Sequence, residues 1–330
     1  MTRATGIGSW PGTAVGEAVR AVRDLLGDDD GAGLAYLPEL PARGPGSDLV
    51  GRTAGLLVEM PVDLQPSGWR LVDRPGLDAR RTAALWREDL DSLAEAYDGW
   101  SGDLKLQVAG PWTLAASLER TRGERVVADA GAARYLVESL AEGVRSHLGE
   151  VTRLVPGSRP VLQVDEPSLP AVLSGELPTA SDYGRLPAVD PQVAAHGLQA
   201  VLAAAGDLPT VIHCCHPRAP LPLLRGVGPG AVALDLTGAS AARWESVAAT
   251  VEAGVALYAG CLPSAGGGTR AVAAGLLVEG FRQAGLPAAS LADVTVTPTC
   301  GLAAASADAA LATTRLLLDV AAELDERAVG

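Results

Sequence analysis

The sequence predicts a closed (β/α)8 barrel, and three observations lead there. Short β-branched or apolar runs alternate with Ala/Leu-rich amphipathic stretches along the 330-residue chain, which implies parallel strands joined by right-handed helical crossovers. Eight such units can be counted, the number that closes a barrel. No Gly-x-Gly-x-x-Gly follows the first strand and opens a helix, as an open dinucleotide-binding sheet would require.

Taken in order, the predicted strands are Ala4–Ser9, Leu34–Glu39, Lys105–Gly110, Pro160–Asp165, Thr210–Cys215, Ala231–Leu236, Val255–Gly260 and Val294–Pro298. Each is a short apolar run bounded by turn-forming residues. Helical periodicity marks Thr13–Leu26, Arg80–Tyr97, Ala130–Leu154, Pro191–Ala205, Ala241–Ala253, Arg270–Ala284 and Ala307–Leu324. Asp190-Pro191 offers an N-cap with proline in the first turn, and Gly206 closes that helix. The Pro/Gly-rich segments Pro41–Gly46, Gly175–Pro187 and Ser264–Gly268 are expected as long loops on the barrel mouth. With no internal repeat and no low-complexity linker, residues 1–330 read as a single unit.

Composition narrows the function. The chain is 48% hydrophobic but only 4% aromatic, so Ala, Val and Leu must build the core. A net charge of −13 disfavours nucleic acid or an anionic membrane as partner, and the acidic run Asp28-Asp29-Asp30 is expected in an exposed loop. No apolar stretch reaches the ~20 residues needed to span a bilayer, and the first residues lack a signal-peptide core. Four cysteines, two of them adjacent, are not a disulfide framework. A cytoplasmic protein with free thiols is expected.

Those thiols carry the sharpest signal. His213 and Cys215 are two apart in Val-Ile-His-Cys-Cys-His-Pro, so an extended chain points both to one face and Cys214 to the other. Cys300 follows another β-branched run. One imidazole and two thiolates suit zinc, and three protein ligands with an exchangeable position mark a catalytic site. More broadly, Ser9, Glu39, Asp165, His213, Cys215, Asp235 and Cys300 all fall at or just beyond the predicted C-terminal ends of strands. In a barrel those ends converge on the face where active sites are built. For Asp235 alone, a helix cap or turn is an equally good reading.

The motifs also resemble a known family, the catalytic C-terminal barrel of cobalamin-independent methionine synthase, a barrel type shared with uroporphyrinogen decarboxylase. Ile7-Gly8-Ser9-Trp10-Pro11 is similar to the segment that opens that barrel and holds the substrate amino acid, with the amides around Gly8 and Ser9 free to take its carboxylate. Pro38-Glu39-Leu40 and Gln163-Val164-Asp165-Glu166-Pro167 fall where the family places carboxylates for the homocysteine amine. Gly110-Pro111-Trp112-Thr113 resembles its Gly-Pro-x-Thr turn. His213-Cys214-Cys215 and Pro298-Thr299-Cys300-Gly301-Leu302 match the motifs carrying three zinc ligands, and Asp235 stands roughly where the family has a fourth, a glutamate one methylene longer.

The resemblance implies a zinc-dependent methyltransferase that makes methionine from homocysteine. Two departures bear on the methyl donor. The N-terminal barrel that helps hold the folate in two-barrel members has no counterpart here, and Tyr258–Ser264 lacks the histidine thought to protonate the departing folate. A methylated corrinoid, free or protein-bound, is therefore expected to outperform methyl-tetrahydrofolate. Transfer to another thiol, and a non-catalytic barrel that binds zinc or homocysteine, remain open at this point.

Overall fold

In the computed structural model, which describes residues 1–27 and 31–329, ten strands form two sheets. They are β1 (Arg3–Ala4), β2 (Ala35–Tyr36), β3 (Val62–Gln65), β4 (Gly68–Leu71), β5 (Gly102–Ala109), β6 (Ser158–Asp165), β7 (Thr210–Cys214), β8 (Ala231–Asp235), β9 (Ala256–Leu262) and β10 (Thr295–Pro298). The acidic run 28–30 lies outside the described residues. Eight strands pair in parallel in the order β1-β10-β9-β8-β7-β6-β5-β2. Parallel bridges from Ala4 to Gly33 and from Ser9 to Glu39 join the first strand to the second. The sheet therefore closes on itself, as a (β/α)8 barrel requires.

All eight predicted strands are present, but the first two are cut to two residues each. The reason is local. Gly6 lies directly against the Tyr36 ring, and a Cβ there would sit 2.4 Å from it. Beyond that contact the ladder continues only as the Ser9–Glu39 bridge, with Glu39 donating to the Gly8 carbonyl and Trp10 to the Glu39 carbonyl. The seven predicted helices are present within a few residues; Ala130–Leu154 matches at both ends, and Asp129 accepts from the Gly131 and Ala132 amides at its start. Asp190 caps Pro191–Leu202 as expected, and Gly206, at φ +60, ends the turn that follows. Sequence reasoning passed over the antiparallel β3–β4 hairpin and the short helices Leu49–Ala54, Pro111–Ser117, Leu169–Ser174 and Leu221–Val227.

Inside and outside of the barrel are built differently. Outward side chains such as Ile212, Val232 and Leu234 join the large sheet–helix core, whose helices bury stripes like Val15, Ala18, Val19, Val22 and Leu26. Ile7, Leu34, Val161, Val211, Ala231, Ala233 and Tyr258 form a separate small cluster inside the barrel. Above it, toward the strands' C-terminal ends, the alternate positions turn polar: Lys105 and Gln107 on β5, Gln163 and Asp165 on β6, His213 on β7, all buried. Apolar filling below and polar groups above place the chemistry at the mouth.

The segment after Glu39 is clamped by a buried ionic cluster. Asp89 pairs with both Arg43 and Arg52, the Arg52 guanidinium lies 3.5 Å over the Trp86 ring, and Trp86 Nε1 donates to the Arg52 carbonyl. The His147 ring packs against this cluster, 4.5 Å from the Trp86 ring. Burial, reinforced by the Arg52 charge, lowers its pKa from the ordinary 6.5 to about 3. Between those values the unfolded chain binds a proton that the folded chain refuses, so this stability is whole above pH 6.5 and is lost as pH falls toward 3. From pH 7 to 4.5 the loss from this residue is about 2 to 3 kcal/mol. Urea unfolding at both pH values should show His147→Phe losing less stability than the parent by about that amount; an equal loss would contradict it.

Candidate active site

The three soft ligands meet at the mouth. His213 is the penultimate residue of β7 and faces inward with Val211, Cys215 follows the strand, and Cys300 follows β10. Their ligand atoms lie within 4.8 Å of one another, and the two sulfurs are 3.6 Å apart. Two thiolates on a tetrahedral zinc at about 2.3 Å would stand about 3.8 Å apart, close to this spacing. His213 Nδ1 is bonded to Asp165 Oδ1 at 3.0 Å, while its Nε2 is buried without a partner. A carboxylate behind a histidine fixes the tautomer that leaves Nε2 free as a ligand. The donor set, its spacing and the bare ring nitrogen therefore fit zinc. Sharing one contact, the thiols titrate apart: the hydrogen bond with Cys215 holds Cys300 down to about 6 against the effect of burial, and the same bond together with burial pushes Cys215 up.

Cys214 points the other way, fully buried in the sheet–helix core. Asp235 stands apart from these three. It ends β8 level with Cys215, since Leu234 pairs with Cys214, yet it does not join the ligand group. Its Oδ1 accepts from the Thr237 amide at 2.8 Å and the Thr237 hydroxyl at 2.6 Å. The short side chain closes a turn on itself.

A second group of residues adjoins the cluster. Glu39 is buried at the end of the β2 segment with Oε1 unpartnered; burial raises its pKa to about 7, opposed by Arg52 and, less strongly, by Gln107 and Lys105. Asp165, at the end of β6, accepts from Gln163 Nε2 at 2.7 Å as well as meeting His213. Lys105 is fully buried, donates to the Ile7 carbonyl at 3.0 Å and lies 5.0 Å from the Tyr36 ring centroid. Burial lowers its pKa to about 8, while Asp165 and Glu39 pull it back up.

Two glycines allow this crowding. A Cβ on Gly8 would fall 2.7 Å from Gln107 Cγ, and one on Gly301 would fall 2.0 Å from Ser9 Oγ. The Cys300 loop thus lies directly on Ser9, whose hydroxyl accepts from the Ala303 amide and whose carbonyl accepts from Leu302. The Gly8 carbonyl and Trp10 amide make the bridge to Glu39, leaving the Ser9 amide outside that ladder.

Lys105, Gln107 and Gln163 were missed by sequence reasoning. The signal was present: polar residues at alternate positions of otherwise apolar strands mark the inner face of a barrel. Glu166, opposite Asp165, is buried and accepts from the Trp112 and Thr113 amides and the Thr113 hydroxyl, which caps the helix Pro111–Ser117. His216 accepts from the Arg218 amide in its own loop, and Cys261 is buried against the Thr297 carbonyl. A cavity of about 580 Å³ bordered by Trp112, Val137, Val189 and His196 lies outside this constellation.

Among solved structures, the chain is similar to a B12-independent methionine synthase from Shewanella sp. W3-18-1 in complex with selenomethionine. The TM-score is 0.64 at 12% identity, covering 100% of this chain and 99% of that one. At that identity the likeness speaks for the fold. None of the curated proteins compared matches the chain. Residues 1–323 match the family described as "Cobalamin-independent synthase, Catalytic domain". A match over nearly the whole sequence, on the fold and strand ends just described, makes this chain a member of that family.

Proposed function

We propose that the chain is a single catalytic barrel that transfers a methyl group to the thiol of homocysteine, giving methionine, with zinc held by His213, Cys215 and Cys300. One observation carries the reading: Asp165 bonds the histidine of the thiol-rich cluster while standing in the acidic group with Glu39. A small molecule with a sulfur at one end and an ammonium at the other matches that juxtaposition. The solved neighbour's bound selenomethionine is a molecule of this shape.

The chemistry follows from the side chains. A free thiol, with a pKa near 8.5, is mostly protonated at neutral pH and a weak nucleophile. Zinc, when bound, supplies the charge that keeps the substrate sulfur deprotonated. His213 adds a ligand without adding charge, and Asp165 holds its ring in register. Cys215 and Cys300 contribute negative charge that keeps a neighbouring sulfur electron-rich. Glu39 and Asp165 hold the ammonium, the Ser9 amide lies within reach of the carboxylate end, and Lys105 offsets part of the buried negative charge. Fixing both ends of the amino acid leaves the methyl donor only to approach in line. For that donor we propose methyl-tetrahydrofolate. The corrinoid expectation rested on two departures from the two-barrel members, one of them the missing histidine in Tyr258–Ser264, but a family described as cobalamin-independent does not support it. Among the described residues, no helix is long and apolar enough to cross a membrane.

Metal analysis should find about one zinc per chain, a content that Cys215→Ser and Cys300→Ser each sharply reduce and Cys214→Ser leaves intact; equal zinc in all three variants would refute the ligand set. Glu39→Gln should weaken homocysteine binding by roughly 2–5 kcal/mol while retaining zinc. Asp165→Asn should impair both, lowering zinc affinity about 10- to 100-fold because it also disturbs His213. Calorimetry with homocysteine and with zinc separates the two, and unchanged zinc affinity in Asp165→Asn would remove its orienting role. Side-by-side turnover assays should show methyl-tetrahydrofolate used without cobalamin; turnover with methylcobalamin alone would reverse the donor assignment.

A further inference from the structure

Three buried acceptor oxygens near the carboxylates have no partner: Glu39 Oε1, Gln107 Oε1 and Gln163 Oε1. Their orientation is forced by chemistry. Gln163 Nε2 donates to both the Ile7 carbonyl and Asp165 Oδ1, each at 2.7 Å, and neither can donate in return, so the amide cannot be reversed. Gln107 Nε2 donates to the Leu37 carbonyl at 2.5 Å, which fixes that amide in the same way. The two residues pair directly across β5 and β6, one pleat step below the Ala109–Asp165 pair. Gln107 also touches the two flanking segments: Glu39 feels its side chain, and its Cγ is what the Cβ of a residue larger than glycine at position 8 would meet. Lys105 leaves these oxygens alone, donating to the Ile7 carbonyl instead.

We propose that the amide oxygens of Gln107 and Gln163, left unpartnered beside Glu39 and Asp165, add neutral acceptors where a primary ammonium would sit, and that Gln107 is thereby a specificity residue for the amino-acid substrate. This rests on the functional reading above. A primary ammonium carries three N–H groups, and two carboxylates each supplying one oxygen leave the third unmatched. An amide oxygen accepts that bond without adding charge. A group without N–H donors in the same place would leave those acceptors unmatched, which is how a polar site rejects an analogue.

The test uses the zinc-loaded protein and two thiols, L-homocysteine and its des-amino analogue 4-mercaptobutanoate. Gln107→Met keeps the side-chain length and removes the acceptor. KM for homocysteine should rise about tenfold with kcat nearly unchanged, while the analogue's constants stay the same. Gln107→Glu, which keeps an oxygen acceptor, should retain the preference for homocysteine. Equal losses for both thiols in Gln107→Met would reduce the residue to a structural role, and undiminished discrimination would overturn the inference while sparing the functional reading. A parent protein that does not distinguish the two thiols would defeat the functional reading itself.

Discussion

Asp165 Oδ1 is shared between Gln163 Nε2 and His213 Nδ1, and most of the mouth is organised around that oxygen. Through Gln163 it is tied to the Ile7 carbonyl, and through that carbonyl to Lys105. Through His213 it aims Nε2 toward the two sulfurs. A carboxylate with one commitment could drift with its loop. Held from two sides on a buried strand end, it gives the ligand cluster and the acidic group a common frame.

That frame is costly to bury. Glu39 and Asp165 sit at strand ends, and Lys105 lies mid-strand beside Val161, over a barrel interior packed with Val, Ala and Leu. Burial drives Glu39 and Lys105 toward their neutral forms, and each opposes that drift in the other. The barrel keeps them by locking the backbone around them. Asp89 with Arg43 and Arg52 anchors the segment beyond Glu39, and Gly8 and Gly301 let neighbouring loops lie in contact. Stability lent by the periphery holds a site that would relax by itself.

The barrel was legible because its signal is periodic. Eight apolar runs and seven amphipathic stretches repeat a local pattern, and polar residues sorted to one end of the runs. The β3–β4 hairpin was legible too, in the alternation of Val62–Leu71 about Pro66-Ser67-Gly68, but a scheme built on strand–helix units has no place for it. The histidine and two cysteines came from their chemistry and from period-2 alternation. What failed depends on distance in space. Arg52 and Asp89, 37 positions apart, carry no mark of partnership. Lys105, Gln107 and Gln163 lay between these cases, visible to anyone asking which strand residues face the axis.

Ser9 Oγ accepts from the Ala303 amide across 294 positions, and β1 takes its place beside β10. This contact sets an order on biosynthesis. A ribosome releases the segment carrying Ile7 to Ser9 well before the one carrying Cys300, so the first strand waits for its neighbour while the intervening chain is made. Closing so long a loop is slow, and contacts of this span delay folding. Until Cys300 emerges, His213 and Cys215 stand without the third member of the proposed ligand set. On the proposed reading, capture of zinc and closure of the barrel would be one joint event, in which the ion is the clasp that fastens the ring.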